Sequence, residues 1–232
     1  MNLKKPEVLR VCRTKAQAKK AYDRISRFYD YFAGVSEKKH RDRTLKLLDI
    51  KKGEVVLEIG FGTGHCLMEM AKSVGEDGNV YGIDISSGML EISKQRLKKA
   101  GLFDRVELYC EDALKMPYEN DKFDAVFMSF TLELFDTPEI PKVLAKIKRV
   151  LKPKGRLGVV SMSREDGKSL LLRLYEWAHK KFPQYVDCRP IYVAESIKDA
   201  GFEIKHREKV KLSGLPGEIV IAVKPSKSVV VT

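Results

Sequence analysis

The sequence holds only four cysteines, Cys12, Cys66, Cys110 and Cys188, spread along 232 residues with no CxxC pair. That scarcity speaks against both a disulfide framework and a zinc site, and a reducing, cytoplasmic setting is expected. Long apolar runs are missing as well: no stretch approaches the roughly 18 to 20 residues that a membrane span requires. The opening MNLKKPEVLRVCR has charge but no apolar segment, so neither export nor insertion is expected. The chain is large enough to bury about 70% of its unfolded surface without covalent staples.

Acidic residues are scarce at one end only. Residues 1–52 hold 16 lysines and arginines against 6 acidic residues, whereas the rest of a chain of net charge +12 is nearly balanced. Such a segment attracts anionic lipid at about 1 kcal/mol per basic residue near the surface, or nucleic-acid phosphate; a solvated basic helix face gives the same composition.

What is present from residue 54 onward is a regular alternation of short β-branched runs with longer helical patterns, the signature of βαβ units and a parallel sheet. Strands are predicted at 54–59, 79–84, 105–109, 123–129 and 156–162, with helices at 64–74, 87–100 and 137–151 between them. Ser86 and Ser87 are placed to cap the second helix, and KPKG at 152–155 stops the third. Two further runs, 203–211 and 218–223, are joined by only LSGLPG. A parallel crossover needs a dozen or more residues, so this pair is predicted to form an antiparallel hairpin. The fold class is α/β: a Rossmann-like, seven-stranded, mostly parallel sheet with a C-terminal antiparallel hairpin and an N-terminal helical cap.

Two segments interrupt the pattern. Residues 15–32 carry Tyr22, Ile25, Phe28, Tyr29 and Phe32 at helical spacing among Lys19, Lys20, Arg24 and Arg27, an amphipathic helix expected to dock on the body, with lid or lipid contact left open. Residues 164–192 exceed any ordinary strand-to-helix link. This insertion leaves the carboxyl edge of the sheet, where open α/β sheets bind ligands, and is expected to cover the active site. Its LLLRLYEWA stretch holds the single tryptophan, Trp177, either as a pocket wall or packed on the sheet.

The first strand runs into Glu58-Ile59-Gly60-Phe61-Gly62-Thr63-Gly64. Glycines there let backbone approach a ligand and adopt positive φ, though a tight turn without a ligand has the same composition. The spacing is GxGxG, not the GxGxxG of dinucleotide sites. The second strand ends in Asp84, about 20 residues on, where a carboxylate can accept both hydroxyls of a ribose. Glycine loop and acid together indicate a nucleoside without a 2′-phosphate.

A third block, Glu111-Asp112-Ala113 followed by Met116-Pro117-Tyr118 and Phe123-Asp124-Ala125-Val126, completes a pattern. The ordered set LEIGFGTG, GIDISSGMLE, CEDALKMPYENDKFDAVFMSF and IKRVLKPKGRLGVV resembles the class I methyltransferases, most of all those that C-methylate ubiquinone and menaquinone precursors. The resemblance covers about residues 54–162. It implies S-adenosylmethionine as cofactor, with Gly60, Gly62 and Gly64 along its methionine and ribose, Glu58 near the ammonium, and Asp84 on the ribose hydroxyls. It further implies Ile85 and Met89 about the adenine, Asp112 accepting from the adenine amino group, Ala113 offering backbone, and Ser129 and Phe130 facing the methyl donor. Tyr22 and the Tyr29-Asp30 pair resemble the aromatic and "YD" residues of an N-terminal helix that closes over the cofactor. Residues 1–50 are then the basic helical extension or lid, 51–226 the methyltransferase domain with its insertion at 164–192, and 227–232 a tail.

Methyl transfer from a sulfonium needs chiefly a near-attack geometry, so the residues fix neither the acceptor atom nor a catalytic base. A small or lipid-like acceptor is expected, a quinol carbon first and a phospholipid headgroup nitrogen as the alternative, with residues 1–52 in peripheral contact with anionic membrane. His65, Glu133, Arg164 and Arg189 are the polar candidates at the carboxyl edge, each also readable as a helix, loop or solvated residue. The Asn/Asp-Pro-Pro-aromatic tetrapeptide that resembles base-amino methyltransferases is absent and no RNA-binding motif is visible, which argues against nucleic acid. An oxidoreductase is disfavoured by GxGxG and by the hairpin. Oligomeric state is left open.

Overall fold

The computed structural model describes residues 8–11, 13–26, 35–164, 170–181 and 188–226. In chain order the elements are α1 (Lys15–Ile25), α2 (Val35–Leu48), β1 (Val55–Ile59), α3 (His65–Val74), β2 (Asn79–Asp84), α4 (Ser87–Lys99), β3 (Val106–Cys110), β4 (Phe123–Ser129), α5 (Ile140–Val150), β5 (Leu151–Met162), α6 (Leu170–Lys181), α7 (Val193–Asp199), β6 (Glu203–Leu212) and β7 (Leu215–Val223).

All seven strands form one sheet in the order β3-β2-β1-β4-β5-β7-β6. The first five run parallel, and β7 lies antiparallel to both β5 and β6. The expected hairpin is there, with β7 folded inward so that the reversed strand is second from the edge. From β1 the chain winds outward through β2 and β3, then returns to place β4 on β1's other side. The switch point is therefore between β1 and β4, and the crevice at the strands' carboxyl ends is where such sheets bind ligands.

Burial on both faces follows from alternation along the strands. Leu57, Ile59, Val126 and Met128 join one apolar layer with Ile140, Val143, Leu144, Ile147 and Val150 of α5 and Val193 and Ile197 of α7. Val56, Ala125 and Phe127 join the other, with Leu67, Met70 and Val74 of α3 and Met89 and Leu97 of α4. The 152–155 KPKG stretch is absorbed as an irregular start of β5: the register with β4 shifts between Phe123 and Ala125, opposite Leu151 and Arg156.

Helix α2 has no counterpart among the predicted elements. Its sequence is mostly charged, which hides the signal, yet Leu48 is fully buried and Thr44 with it. Its final carbonyl, on Leu48, accepts from Arg156 Nε of β5 at 2.9 Å, and Asp49 follows at φ 54, a left-handed helix stop. Helix α1 is the reverse case. It begins at Thr14 with a reciprocal Thr14–Gln17 capping box and has no fully buried residue. It rests on the start of α4 through polar contacts and through Tyr22, which packs against the apolar layer of α3 and α4, while Ile25 is 38% exposed; it ends at Ile25, and Phe28, Tyr29 and Phe32 lie outside the described residues.

Because Leu48 anchors α2 to the sheet, Leu48→Ala is expected to lower stability by about 3 kcal/mol, read as a fall in urea midpoint at unchanged slope. An unchanged midpoint would mean that α2 does not belong to the packed body.

Candidate functional site

Three loops converge at the switch point. The Gly60 N–H donates to Ile83 O of β2 at 2.8 Å, so the glycine turn is laid across β2 as soon as β1 ends. Gly60 has φ 74, and a Cβ there would strike the Thr131 side chain. Gly62 has φ 52 and faces open space. Asp84 then ties the loops together: its Oδ2 accepts from Gly62 N and its Oδ1 from Ser86 N, each at 2.9 Å. Burial lifts its pKa to about 6, partly offset by these N–H donors and reinforced by the charge of Asp23.

A cavity of about 460 Å³ occupies this crevice. Of the thirteen residues expected at the cofactor, Tyr22, Gly60, Gly62, Asp84, Ile85, Met89, Asp112, Ala113, Ser129 and Phe130 line it. Tyr29 lies outside the described residues. Gly64 instead forms the left-handed N-cap of α3. Glu58 is buried beneath the wall with Oε2 lacking a partner among the described residues. Burial pushes its carboxyl far above the usual range, against the charge of Arg41 and a contact with Cys66.

Phe130 has φ 51, a conformation that a bulky side chain adopts only when its surroundings impose it. Its N–H donates to Val160 O of β5 at 2.8 Å, which fixes the turn after β4 against the cavity. At the other end, Asp112 caps the Ala113–Lys115 turn by accepting from Leu114 N at 3.0 Å.

The outer wall is formed on one side by the N-terminal segment expected as a cap and on the other by a stretch after β4 that no motif marked. Val11, Arg13, Thr14, Lys15 and Ala18 close one side, while Leu134, Phe135, Asp136, Pro138 and Glu139 close the other. Ion pairs join the two: Lys15 Nζ lies 2.6 Å from Asp112 Oδ2 and 2.8 Å from Glu139 Oε1, and Arg10 Nε donates to Asp136 at 2.8 Å. Asp23 seats α1 on α4 by accepting from Ser86 Oγ at 2.7 Å and Gly88 N at 2.9 Å. Although burial opposes it, those donors and Lys19 hold Asp23 down to a pKa of about 2.

The four polar candidates separate. His65 opens α3 and lines a different cavity, with Arg41 and Cys66. Arg164 and Arg189 are not solvated charges. Arg164 pairs with Glu176, both largely buried, and Arg189 is fully buried, donating to Phe135 O and to Thr137 Oγ1. Arg189 thereby shapes the 135–137 wall, and burial lowers its pKa to about 10. Glu133 is fully buried just behind the lining residues Thr131 and Leu134; its Oε1 accepts from Met162 N at 3.1 Å and its Oε2 lacks a partner among the described residues. Among the described residues, none of 164–192 lines the cavity, and Trp177 is 53% exposed.

The fold and the site define a class: the chain belongs to the S-adenosylmethionine-dependent class I methyltransferases. Residues 56–155 match the family model described as a methyltransferase domain. The chain is 31% identical over 149 residues to a demethylmenaquinone methyltransferase of Bacillus subtilis, covering 62% of this chain and 63% of that one. It is 30% identical over 168 residues to the Lactobacillus johnsonii protein of the same name, covering 71% and 68%. A solved SAM-dependent methyltransferase from Aquifex aeolicus is 29% identical with a TM-score of 0.59, over 79% of this chain and 88% of that one. The chain spans 58 to 63% of the length of the first curated relatives it matches.

Glu133 gives the site a pH signature. Burial raises its pKa from 4.5 to about 7, partly offset by the N–H of Met162 and by Ser161. The folded state thus binds a proton that the unfolded state has released. Stability from this group is complete below about pH 4.5 and is lost as pH rises through about 7, some ~3 kcal/mol in all. Glu133→Gln is expected to remove that loss, so the stability gap between variant and wild type widens by ~3 kcal/mol from pH 4.5 to 8 in urea titrations. A gap independent of pH would contradict the buried, strained carboxyl.

Proposed function

We propose that this protein methylates a ring carbon of a quinol-type acceptor, with S-adenosylmethionine as donor. The observation that carries this reading is that one cavity is lined both by Asp84 and Asp112 and by Ser129, Phe130, Leu134, Phe135 and Pro138. The carboxylates suit a nucleoside, and the apolar and aromatic side chains suit a flat ring. The names of the relatives support the same acceptor.

The cavity suits the cofactor on its own geometry: Gly62 leaves open space, and Asp84 has both oxygens anchored so that its remaining lone pairs can meet two hydroxyls. In this reading Asp84 holds the ribose, Ile85 and Met89 flank the adenine, Asp112 and Ala113 hold its edge, and Gly60 and Gly62 run beside the methionine. Tyr22 closes the site from the N-terminal side, and Glu58 and Gly64 support the glycine loop from behind; the same role for Tyr29 rests on the sequence resemblance alone. When bound, the cofactor supplies an electrophilic methyl group.

The chain's own part is to place the acceptor carbon and exclude water once the acceptor is bound. Phe130 and Leu134 supply an apolar wall there, and Asp136 is unsuited to be a base because Arg10, outweighing burial, holds its carboxyl well below the usual range. The hydroquinone's own hydroxyl loses its proton to solvent before the acceptor is enclosed, the activated ring carbon takes the methyl as the methyl–sulfur bond of the donor breaks, and the ring proton returns to the hydroxyl oxygen as aromaticity is restored, so that one proton is released in all. Contact of the basic residues 1–52 with an anionic membrane, in a cytoplasmic setting, belongs to the same reading.

The test is transfer of a deuterium-labelled methyl group from S-adenosylmethionine to a short-chain demethylnaphthoquinol kept reduced, read by mass spectrometry, with phosphatidylethanolamine as competitor substrate. Label on the quinol ring, absent when the quinone is left oxidised, is the expected result. Label on the headgroup amine alone, or on neither, would refute the quinol reading.

A further inference from the structure

Helix α6 presents an inverted amphipathic pattern. Leu172 and His179 are buried at 2% exposure, and the inner side is fixed to the body by the Arg164–Glu176 pair and by Tyr175 Oη donating to Cys188 O at 3.2 Å. The opposite face is not polar. Leu171, Leu174 and Trp177, spaced by three, are 45%, 59% and 53% exposed. They are three of the five large apolar side chains exposed among the described residues, so this is a patch and not a scatter.

Its surroundings are cationic. Arg173, Lys180 and Lys181 are exposed on the same helix. A Cβ on Gly214 would lie 3.2 Å from Leu171 Cδ2, so the patch adjoins the β6–β7 turn, with exposed Lys209 and Lys211 beside it. His40 of α2 reaches Lys211 O at 3.1 Å, so the start of α2 meets the same end of β6; there Lys39 is exposed and Lys38 is paired with Asp42.

We propose that this face seats on the surface of an anionic bilayer, with Trp177, Leu171 and Leu174 entering the headgroup boundary and the surrounding lysines and arginines meeting lipid phosphates. A tryptophan and leucines ringed by lysine and arginine match that boundary in both polarity and charge. An acidic soluble partner would satisfy the charges and leave three large apolar side chains to be matched separately; a lipid surface satisfies both at once. The face follows β5 at the carboxyl edge that holds the cavity, so docking there brings the site to the membrane. The inference goes beyond the methylation reading: the enzyme can methylate a quinol and not bind through α6, and the converse.

Trp177 is the only tryptophan in the chain, so its emission reports on this face alone. On addition of phosphatidylglycerol-containing vesicles to the full chain, emission is expected to shift to the blue and to be quenched by lipids brominated on the acyl chain, with far weaker binding to phosphatidylcholine alone. The Leu171→Ser/Leu174→Ser variant keeps the reporter and is expected to lower vesicle partitioning by about tenfold or more, with its thermal midpoint unchanged. Three results would overturn the proposal: vesicle binding in co-sedimentation without a Trp177 shift, which would put the contact elsewhere; equal shifts with both lipids; or a shift that depends on protein concentration without lipid, which would make a second copy the occupant.

Discussion

The carboxylate of Asp84 is the constraint around which the site is arranged. By accepting from Gly62 and Ser86 it fixes the glycine turn after β1 and the start of α4 relative to each other. The sheet supplies the rest of the restraint, since β1 lies between β2 and β4 in parallel register. The hydrogen bonds to Asp84 pin both loops without any contribution from a ligand. Burial keeps the carboxyl close to neutrality in titration, so ordering two hydroxyl donors against it favours its charged form.

The outer wall is held differently. The sheet, α2, α3, α4 and α5 are joined through apolar layers, whereas α1 carries no fully buried residue and is attached by Lys15, Lys19 and Asp23 and by the half-buried Tyr22. Ion pairs that are partly exposed contribute little each and are screened by salt. The cavity thus has a fixed floor and a wall whose attachment is weak, an arrangement suited to admitting a cofactor that afterwards needs cover. Arg189 gives the opposite wall the firmness α1 lacks, since a fully buried guanidinium anchored on Phe135 O cannot shift without losing its partners.

Much of this was legible in the residues. The alternation of short β-branched runs with helical patterns located six of the seven strands to within three residues, while β5 starts five residues before the predicted 156; the short LSGLPG link sufficed for the hairpin because covalent reach excludes a crossover. Asp84, Asp112, Ser129 and Phe130 sit at strand ends, positions that the alternation itself marks as facing the crevice, and so the cavity gathers them. Glu58 and Gly64 show the limit of that logic, since adjacency in a motif does not say which side of a turn a residue takes. Helix α2 escaped notice because its buried face is reduced to Thr44, Leu48 and a few half-buried neighbours. The apolar stretch around Trp177 left pocket wall and sheet packing open, because composition alone does not say which face of a helix is covered, and the exposure of Trp177 is what distinguishes α6.

The measurement that bears most directly on the central claim is calorimetric titration of the full chain with S-adenosylmethionine and, separately, with NAD, for wild type and Asp84→Ala. Binding of S-adenosylmethionine in the micromolar range, weakened about a hundredfold by the substitution, with no comparable binding of NAD, is the result expected if Asp84 holds the nucleoside. Equal binding by the two proteins, or a preference for NAD, would contradict it.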